Sequence, residues 1–179
     1  GIKTTGHLLV DAFASMGLWV FSTQSYMSRI RGGLNWQDVR IADYQITSSR
    51  EGVDLLVALT EDALETLSVE VNEGGGILYD GDEVEGDAVA IPFTGTAKEA
   101  GNAIMANSVA GGAVFTVLGY DLDPLIGYLD EAFQAKGRDV VEANTALVHR
   151  GAELASEYAG SLDAPEPSDA PPQVYDGTE

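Results

Sequence analysis

The stretch Phe21-Ser-Thr-Gln-Ser-Tyr-Met-Ser-Arg-Ile-Arg-Gly-Gly-Leu-Asn35 joins two strand-like runs through a short hydroxyl-rich segment that carries Arg29 and Arg31. On its amino side lies the apolar run Leu18-Trp-Val-Phe21. On its carboxyl side residues 39–46 alternate, with Val39 and Ile41 set against Arg40, Ala42 and Tyr44. Gly32-Gly33 lets the backbone turn or come close to a ligand. The connection is too short for the crossover that parallel neighbours require, so at least one antiparallel pair is expected here. Both arginines are then presented at a strand end.

The flanks extend this reading. Leu8, Leu9, Ala12, Phe13 and Met16 recur at helical spacing and stop at Gly17, which predicts an amphipathic helix at the start of the chain. After the second strand, Asp54-Leu-Leu-Val-Ala-Leu59 is a continuous apolar run of the kind that fills a fully buried strand. Thr60 fits an N-cap with Glu61 and Asp62 in the first turn, so a helix is expected over 61–67. Gly74-Gly-Gly76 separates that helix from a short strand at 76–79. The turn Asp80-Gly81 precedes a further strand over 88–93, with Pro92 at an edge or exit. The triple glycine lacks the Lys-Ser/Thr of a phosphate loop and lies before a strand, which argues against a nucleotide cradle.

A small-residue helix is expected from Thr96 to about Leu118, its glycines and alanines permitting close packing against the sheet or another subunit. Asn107, mid-helix among apolar residues, caps a neighbouring turn or faces a partner. Asp123-Pro124 marks the start of a helix reaching about Ala135, and Asp139 caps the last, over 140–159. His149 and Arg150 fall late in that helix, where positive charge suits the dipole, and His7 reads as a surface or packing residue. From Gly160 to Glu179 the Pro-rich acidic composition is that of a disordered linker or tail. The organisation is thus one domain, 1–159, with a tail at 160–179. Its order of elements predicts an α/β fold, three-layer α/β/α with a mixed β-sheet, and not a pure Rossmann domain.

Composition removes several functions. The formal charge of −20, from 29 acidic against 9 basic residues, disfavours nonspecific nucleic-acid binding and an anionic membrane surface. Acids scattered over helices and turns fit a protein kept soluble at high salt, hence a halophilic source, with an acidic mesophilic protein as the alternative. Zero cysteines exclude disulfides, thiolate zinc sites and an iron–sulfur cluster ligated by this chain. No apolar run approaches the roughly 18 residues of a membrane span and no basic-then-apolar leader opens the chain, which reads as cytoplasmic. Metal-ligand spacing, a nucleophile with its base, and a defensible carboxylate pair are all missing, so no catalytic residue is assigned and no metal site.

What remains is anion recognition. Arg29 and Arg31, backed by Ser25 and Ser28, offer donor forks suited to phosphate in an otherwise acidic protein. The first helix adds free backbone N–H groups beside Lys3, Thr4 and Thr5, which form an anion site or else a simple N-cap with a solvated lysine. Arg29 and Arg31 have their own bland alternative, a salt bridge to nearby acids or to another subunit.

Ser28-Arg-Ile-Arg-Gly-Gly-Leu-Asn35, preceded by Gly1-Ile-Lys-Thr-Thr-Gly-His-Leu-Leu9 and followed by the alternating strand, resembles the gamma domain of 2-oxoacid:ferredoxin oxidoreductases, the 2-oxoglutarate type more than the pyruvate type. The resemblance runs to about Ala159 and takes in Asn107 to Gly119 and Asn144-Thr-Ala-Leu-Val-His-Arg-Gly151. Domains of this kind begin with a strand and a Gly-rich turn ahead of the first helix, so the chain reads as a fragment or processed piece. The resemblance implies a part that helps hold coenzyme A and closes over the active site formed by alpha and beta parts. Lys3, Thr4, Thr5, Ser28, Arg29 and Arg31 match the binding segments. Thiamine diphosphate, magnesium and the iron–sulfur cluster would be held by other chains or domains, and ferredoxin would be met through the complex. A purely structural part that docks the alpha and beta parts is the alternative.

Overall fold

The structure, a computed structural model, describes residues 2–26, 34–171 and 173–176. Helix α1 (Ile2–Ser15) leads into strand β1 (Trp19–Tyr26), which pairs antiparallel with β2 (Asn35–Ala42) in a register running from Trp19 opposite Ala42 to Tyr26 opposite Asn35. The expected antiparallel pair is present. Its second strand begins four places earlier than the alternation implied and ends at Ala42, because the polar positions Asn35 and Gln37 belong to the ladder and hide it in a hydropathy reading.

The next strands run parallel: β3 (Val53–Ala58), β4 (Val71–Asp80) and β5 (Val89–Ile91), in the order β3-β4-β5. Helix α2 (Glu61–Leu67) joins the first two and starts as expected, the Thr60 hydroxyl accepting from the Ala63 N–H at 3.2 Å. Strand β3 is an edge strand with Asp54 exposed, not the fully buried strand its composition implied. Strand β4, expected to begin at Gly76, begins at Val71 and so takes in Gly74 and Gly75 as well. A register shift between Val53 and Leu55 accommodates them, and a Cβ on Gly75 would come within 2.8 Å of the Asp54 carbonyl, a close approach open only to glycine.

The long helix expected from Thr96 is divided. Strand β5 ends at Ile91, α3 (Phe93–Glu99) begins at once, and α4 (Ala106–Val117) follows a single 3₁₀ turn at Ala103–Met105. Gly101, at φ +96°, makes the break, and the Asn102 side chain accepts from the Ile104 N–H at 3.0 Å to open the turn. Helix α5 (Asp123–Phe133) has Leu122 as its cap, with Asp123 and Pro124 inside the first turn. Helix α6 (Arg138–Leu154) starts from Gly137, at φ +106°, so Asp139 is a first-turn acid and not the cap, and a 3₁₀ turn at Ser156–Tyr158 ends the helical region.

The strands separate two apolar layers. Leu78 of β4, Ile91 of β5 and Val20 of β1 point into a large core shared with α1, α3, α4, α5 and α6. Ile77 and Tyr79, the alternate residues of β4, face a smaller cluster with Leu34, Trp36, Leu56, Ala58 and Ala63 of α2. Helices therefore cover both faces of the strands, the three-layer arrangement of a mixed α/β domain. Among the described residues the strands form two hydrogen-bonded groups, β3-β4-β5 and β2-β1-β6, with β6 (Gln173–Asp176) parallel to β1.

Helix α4 packs against α6 at backbone distance. A Cβ on Gly112 would collide with the Val148 carbonyl, and one on Gly151 with the Val109 carbonyl. At the same crossing the buried Ser108 hydroxyl donates to Asn144 Oδ1 at 2.7 Å, and the Asn144 amide donates to the Val140 carbonyl at 2.7 Å. The small residues of α4 thus serve this helix pair. Phe13 of α1 stacks on Phe115 of α4 with ring centres 5.1 Å apart, and Tyr120 meets both rings edge-on.

Candidate anion site at the start of α1 and the β1–β2 hairpin

Helix α1, whose first turn carries one of the two segments expected to bind an anion, packs on the hairpin whose connection carries the other. Helix α1 rests on the hairpin with Gly6, in its second turn, against the side chain of Gln37, where any Cβ would strike the carboxamide. Gln37 stands opposite Gln24, and Tyr26 opposite Asn35 closes the described part of the hairpin. The contact therefore lies two residues, or about 7 Å along a strand, from the point at which the chain leaves β1. The connection carrying Ser28, Arg29 and Arg31 departs from Tyr26 and returns at Leu34, at the end of the hairpin nearest the start of α1. Ser28, Arg29 and Arg31 lie outside the described residues. Lys3, Thr4 and Thr5 fall in the first turn of α1, whose leading N–H groups have no partner within the helix.

Gln37 and Asp38 were not among the residues singled out from the sequence. Gln37 Nε2 donates to the Ser22 hydroxyl at 2.8 Å, while its Oε1 is buried without a hydrogen-bond partner among the described residues. On the opposite face of β2, Asp38 accepts from the Thr23 hydroxyl at 3.4 Å. Burial pushes the Asp38 carboxyl above its ordinary value, and Glu70 adds to this, against hydrogen bonds from Thr23 and Trp36 that lower it. The signal available was the polar alternation of Asn35-Trp-Gln-Asp-Val-Arg40, which reads as a solvated strand until helix and turn are known to cover it.

Ser25, the other hydroxyl of the segment, is on β1 and partly buried. Both histidines are exposed on helices, His7 on α1 and His149 on α6. Arg40 donates to the Ser48 carbonyl at 3.0 Å and lies 3.4 Å from the Tyr44 hydroxyl, tying down the segment after β2. Among the described residues, no group of His, Asp and Glu is placed to hold a metal ion, and no helix is long and apolar enough to cross a membrane.

The chain is similar to known proteins over nearly its whole length. A family model described as pyruvate ferredoxin/flavodoxin oxidoreductase matches residues 1–154. The 2-oxoglutarate synthase subunit KorC of Archaeoglobus fulgidus is 33% identical over 122 residues, 66% of this chain and 65% of that subunit. Among solved structures, the 2-oxoglutarate:ferredoxin oxidoreductase of Magnetococcus marinus, with 2-oxoglutarate, coenzyme A and succinyl-CoA bound, superposes with a TM-score of 0.78 at 26% identity, over 97% of this chain and 31% of that one. The gamma subunit of the keto/oxoacid ferredoxin oxidoreductase of Geobacter sulfurreducens gives 0.72 at 27% identity, over 89% of this chain and 91% of that one. The match thus spans just under two thirds of the KorC relative and under a third of the Magnetococcus chain. With a family model covering all but the last part of the sequence and the fold in agreement, the chain belongs to the pyruvate ferredoxin/flavodoxin oxidoreductase family.

Proposed function

We propose that the chain is the gamma part of a 2-oxoacid:ferredoxin oxidoreductase of the cytoplasm. In this reading it holds the anionic portion of coenzyme A and closes over an active site built by alpha and beta parts. The observation that carries the reading is the convergence of the start of α1 and the β1–β2 hairpin through Gly6 and Gln37. In this reading the helix-start N–H groups, Lys3, Thr4 and Thr5 act together with Ser28, Arg29 and Arg31, whose segment leaves from the end of the same hairpin. Phosphate oxygens suit both donor types. Coenzyme A is among the molecules bound in the Magnetococcus enzyme.

In the whole reaction a 2-oxoacid loses carbon dioxide, its acyl group passes to the thiol of coenzyme A, and the released electrons pass to ferredoxin. A chain without cysteine has no thiolates for an iron–sulfur cluster. That cluster, with thiamine diphosphate and magnesium, is assigned to the partner parts.

The test is calorimetric titration of coenzyme A into the assembled complex at molar salt, wild type against Arg29→Ala/Arg31→Ala. Affinity lower by about tenfold, or about 1.4 kcal/mol, with assembly intact, supports the ligand role. Unchanged affinity overturns it, and loss of assembly in place of affinity would make the segment a docking element for the alpha and beta parts.

A further inference from the structure

The segment after the last 3₁₀ turn returns across the body of the domain. Its backbone finds the carbonyls that helix ends leave without partners. At the end of α4, the Gly160 N–H donates to the Thr116 carbonyl at 2.9 Å and the Leu162 N–H to the Val117 carbonyl at 3.4 Å. At the end of α1, the Ser168 N–H donates to the Met16 carbonyl at 2.9 Å, and its hydroxyl to the Gly17 carbonyl at 3.0 Å. Between these points the Tyr120 hydroxyl donates to the Pro165 carbonyl at 2.6 Å. Beyond them, β6 adds a parallel strand to the first half of β1, from Trp19 opposite Gln173 to Ser22 opposite Asp176.

The body is shaped for this crossing. Gly17 and Gly119 both sit at φ +74° just past a helix end; a Cβ on the first would collide with the Ser168 carbonyl, and one on the second would lie 3.3 Å from the Gly160 Cα. The segment contributes little apolar burial in return. Leu162 reaches the main core, but Asp163 and residues 166–170 are exposed, as is Val174. Backbone hydrogen bonds with few apolar contacts mark a unit that opens before the core does.

Charge opposes the contact. Residues 160–176 include Asp163, Glu166, Asp169 and Asp176 and no lysine or arginine. The groove they cross, about 640 Å³ in volume, is lined on the body side by Asp121 and Asp123 as well as by Met16, Leu118 and Pro124. Glu166 and Asp43 both act on Tyr120, whose hydroxyl is pushed up to about 12, burial being the larger cause, so that it stays a donor.

We propose that residues 160–171 together with β6 are a salt-gated strap: screened, they clamp the ends of α1 and α4 and extend the sheet at β1; unscreened, carboxylate repulsion from the groove and the body releases them while the core stays folded. Salt near 3 M shortens the reach of these charges to a few ångströms, whereas about 0.1 M leaves them felt over about 10 Å. The strand it releases is the one that leads to the arginine segment.

Hydrogen exchange of the full chain, followed by amide across a salt series, tests this. The amides of Gly160, Leu162 and Ser168 should be protected at about 3 M salt. They should lose about tenfold or more of that protection at the lowest salt at which the α4 amides keep theirs. Glu166→Gln/Asp169→Asn should retain strap protection at that low salt, and Ser168→Ala should reduce it at every salt with the α4 amides unchanged. The proposal is overturned if the strap amides open only together with α4, exchange freely at all salts, or show the same salt dependence in the neutralised variant.

Discussion

Gly112 and Gly151 each lie where the opposing helix brings a backbone carbonyl into the space of a side chain. Intrinsic helix preference favours alanine over glycine by about 1 kcal/mol, so an alanine scan that ignored packing would expect both changes to stabilise. The collision reverses the sign. Gly112→Ala and Gly151→Ala should each lower the unfolding free energy by about 1–3 kcal/mol as α4 and α6 are forced apart. Gly127 on α5 has nothing within 4 Å of its would-be Cβ, and Gly127→Ala should raise it by up to about 1 kcal/mol, all three read by denaturant unfolding at fixed salt. Asp38 makes a prediction of the opposite kind, in pH. Its carboxyl is raised in the folded chain by burial, so its contribution to stability is fully present below the ordinary carboxylate value and is lost as pH rises through the folded value. Asp38→Asn should therefore stabilise the chain at neutral pH, and the gain should vanish on acidification below about pH 4. An equal gain at acid and neutral pH would remove the electrostatic account.

Among the elements, those defined by one strong local signal were readable directly. Helix α2 follows from Thr60 with two acids behind it, and α1 from an apolar stripe ended by Gly17. The antiparallel hairpin followed from the length of its connection. The misreadings of β2 and β4 share a cause, since each turned on a contact made by residues distant in sequence. Strand β4 runs through Gly74-Gly-Gly76 because Asp54 of the neighbouring strand approaches there, and β2 includes Asn35 and Gln37 because Tyr26 and Gln24 pair with them. The candidate site divided in the same way. Residue types alone suggested Lys3, Thr4, Thr5 and the arginine segment as anion binders, whereas the Gly6–Gln37 contact that sets α1 on the hairpin appears only when helix and strand are packed. The division of α3 from α4 has a local cause instead, and it yields its own test. Gly101 has a positive φ and open space around its would-be Cβ, so the cost of substitution is backbone strain alone. Gly101→Asn should cost less than Gly101→Ala, and Gly101→Val most, within a span of about 1–3 kcal/mol by equilibrium unfolding. A flat series would mean that the capping turn at Asn102 makes the break unaided.

For the whole molecule, the governing quantity is a net charge of −20 on a chain of 179 residues. The ion pairs found among the described residues, Arg138 with Glu142 and Arg150 with Glu153, are both exposed pairs within one helix, worth about 0.5 kcal/mol or less apiece. They offset little of the repulsion that this net charge spreads over the surface, and screening by salt should weaken that repulsion. Thermal unfolding midpoints should rise with potassium chloride most steeply between about 0.1 and 1 M, where the screening length falls from about 10 to about 3 Å. A non-ionic osmolyte, which is excluded from protein surface without screening charge, should give a shallower rise with no such steep region. The loop between β4 and β5 offers a clean perturbation, because Asp82, Glu83, Glu85 and Asp87 are exposed and close in sequence. Converting these four to their amides removes like charges without disturbing the core. The salt curve should then shift to lower concentration, and its plateau at high salt should stay where it was, since screening has already silenced those charges there. If the plateau moves and the low-salt limb does not, the acids act through local structure or hydration, and charge repulsion is not what limits this fold at low salt.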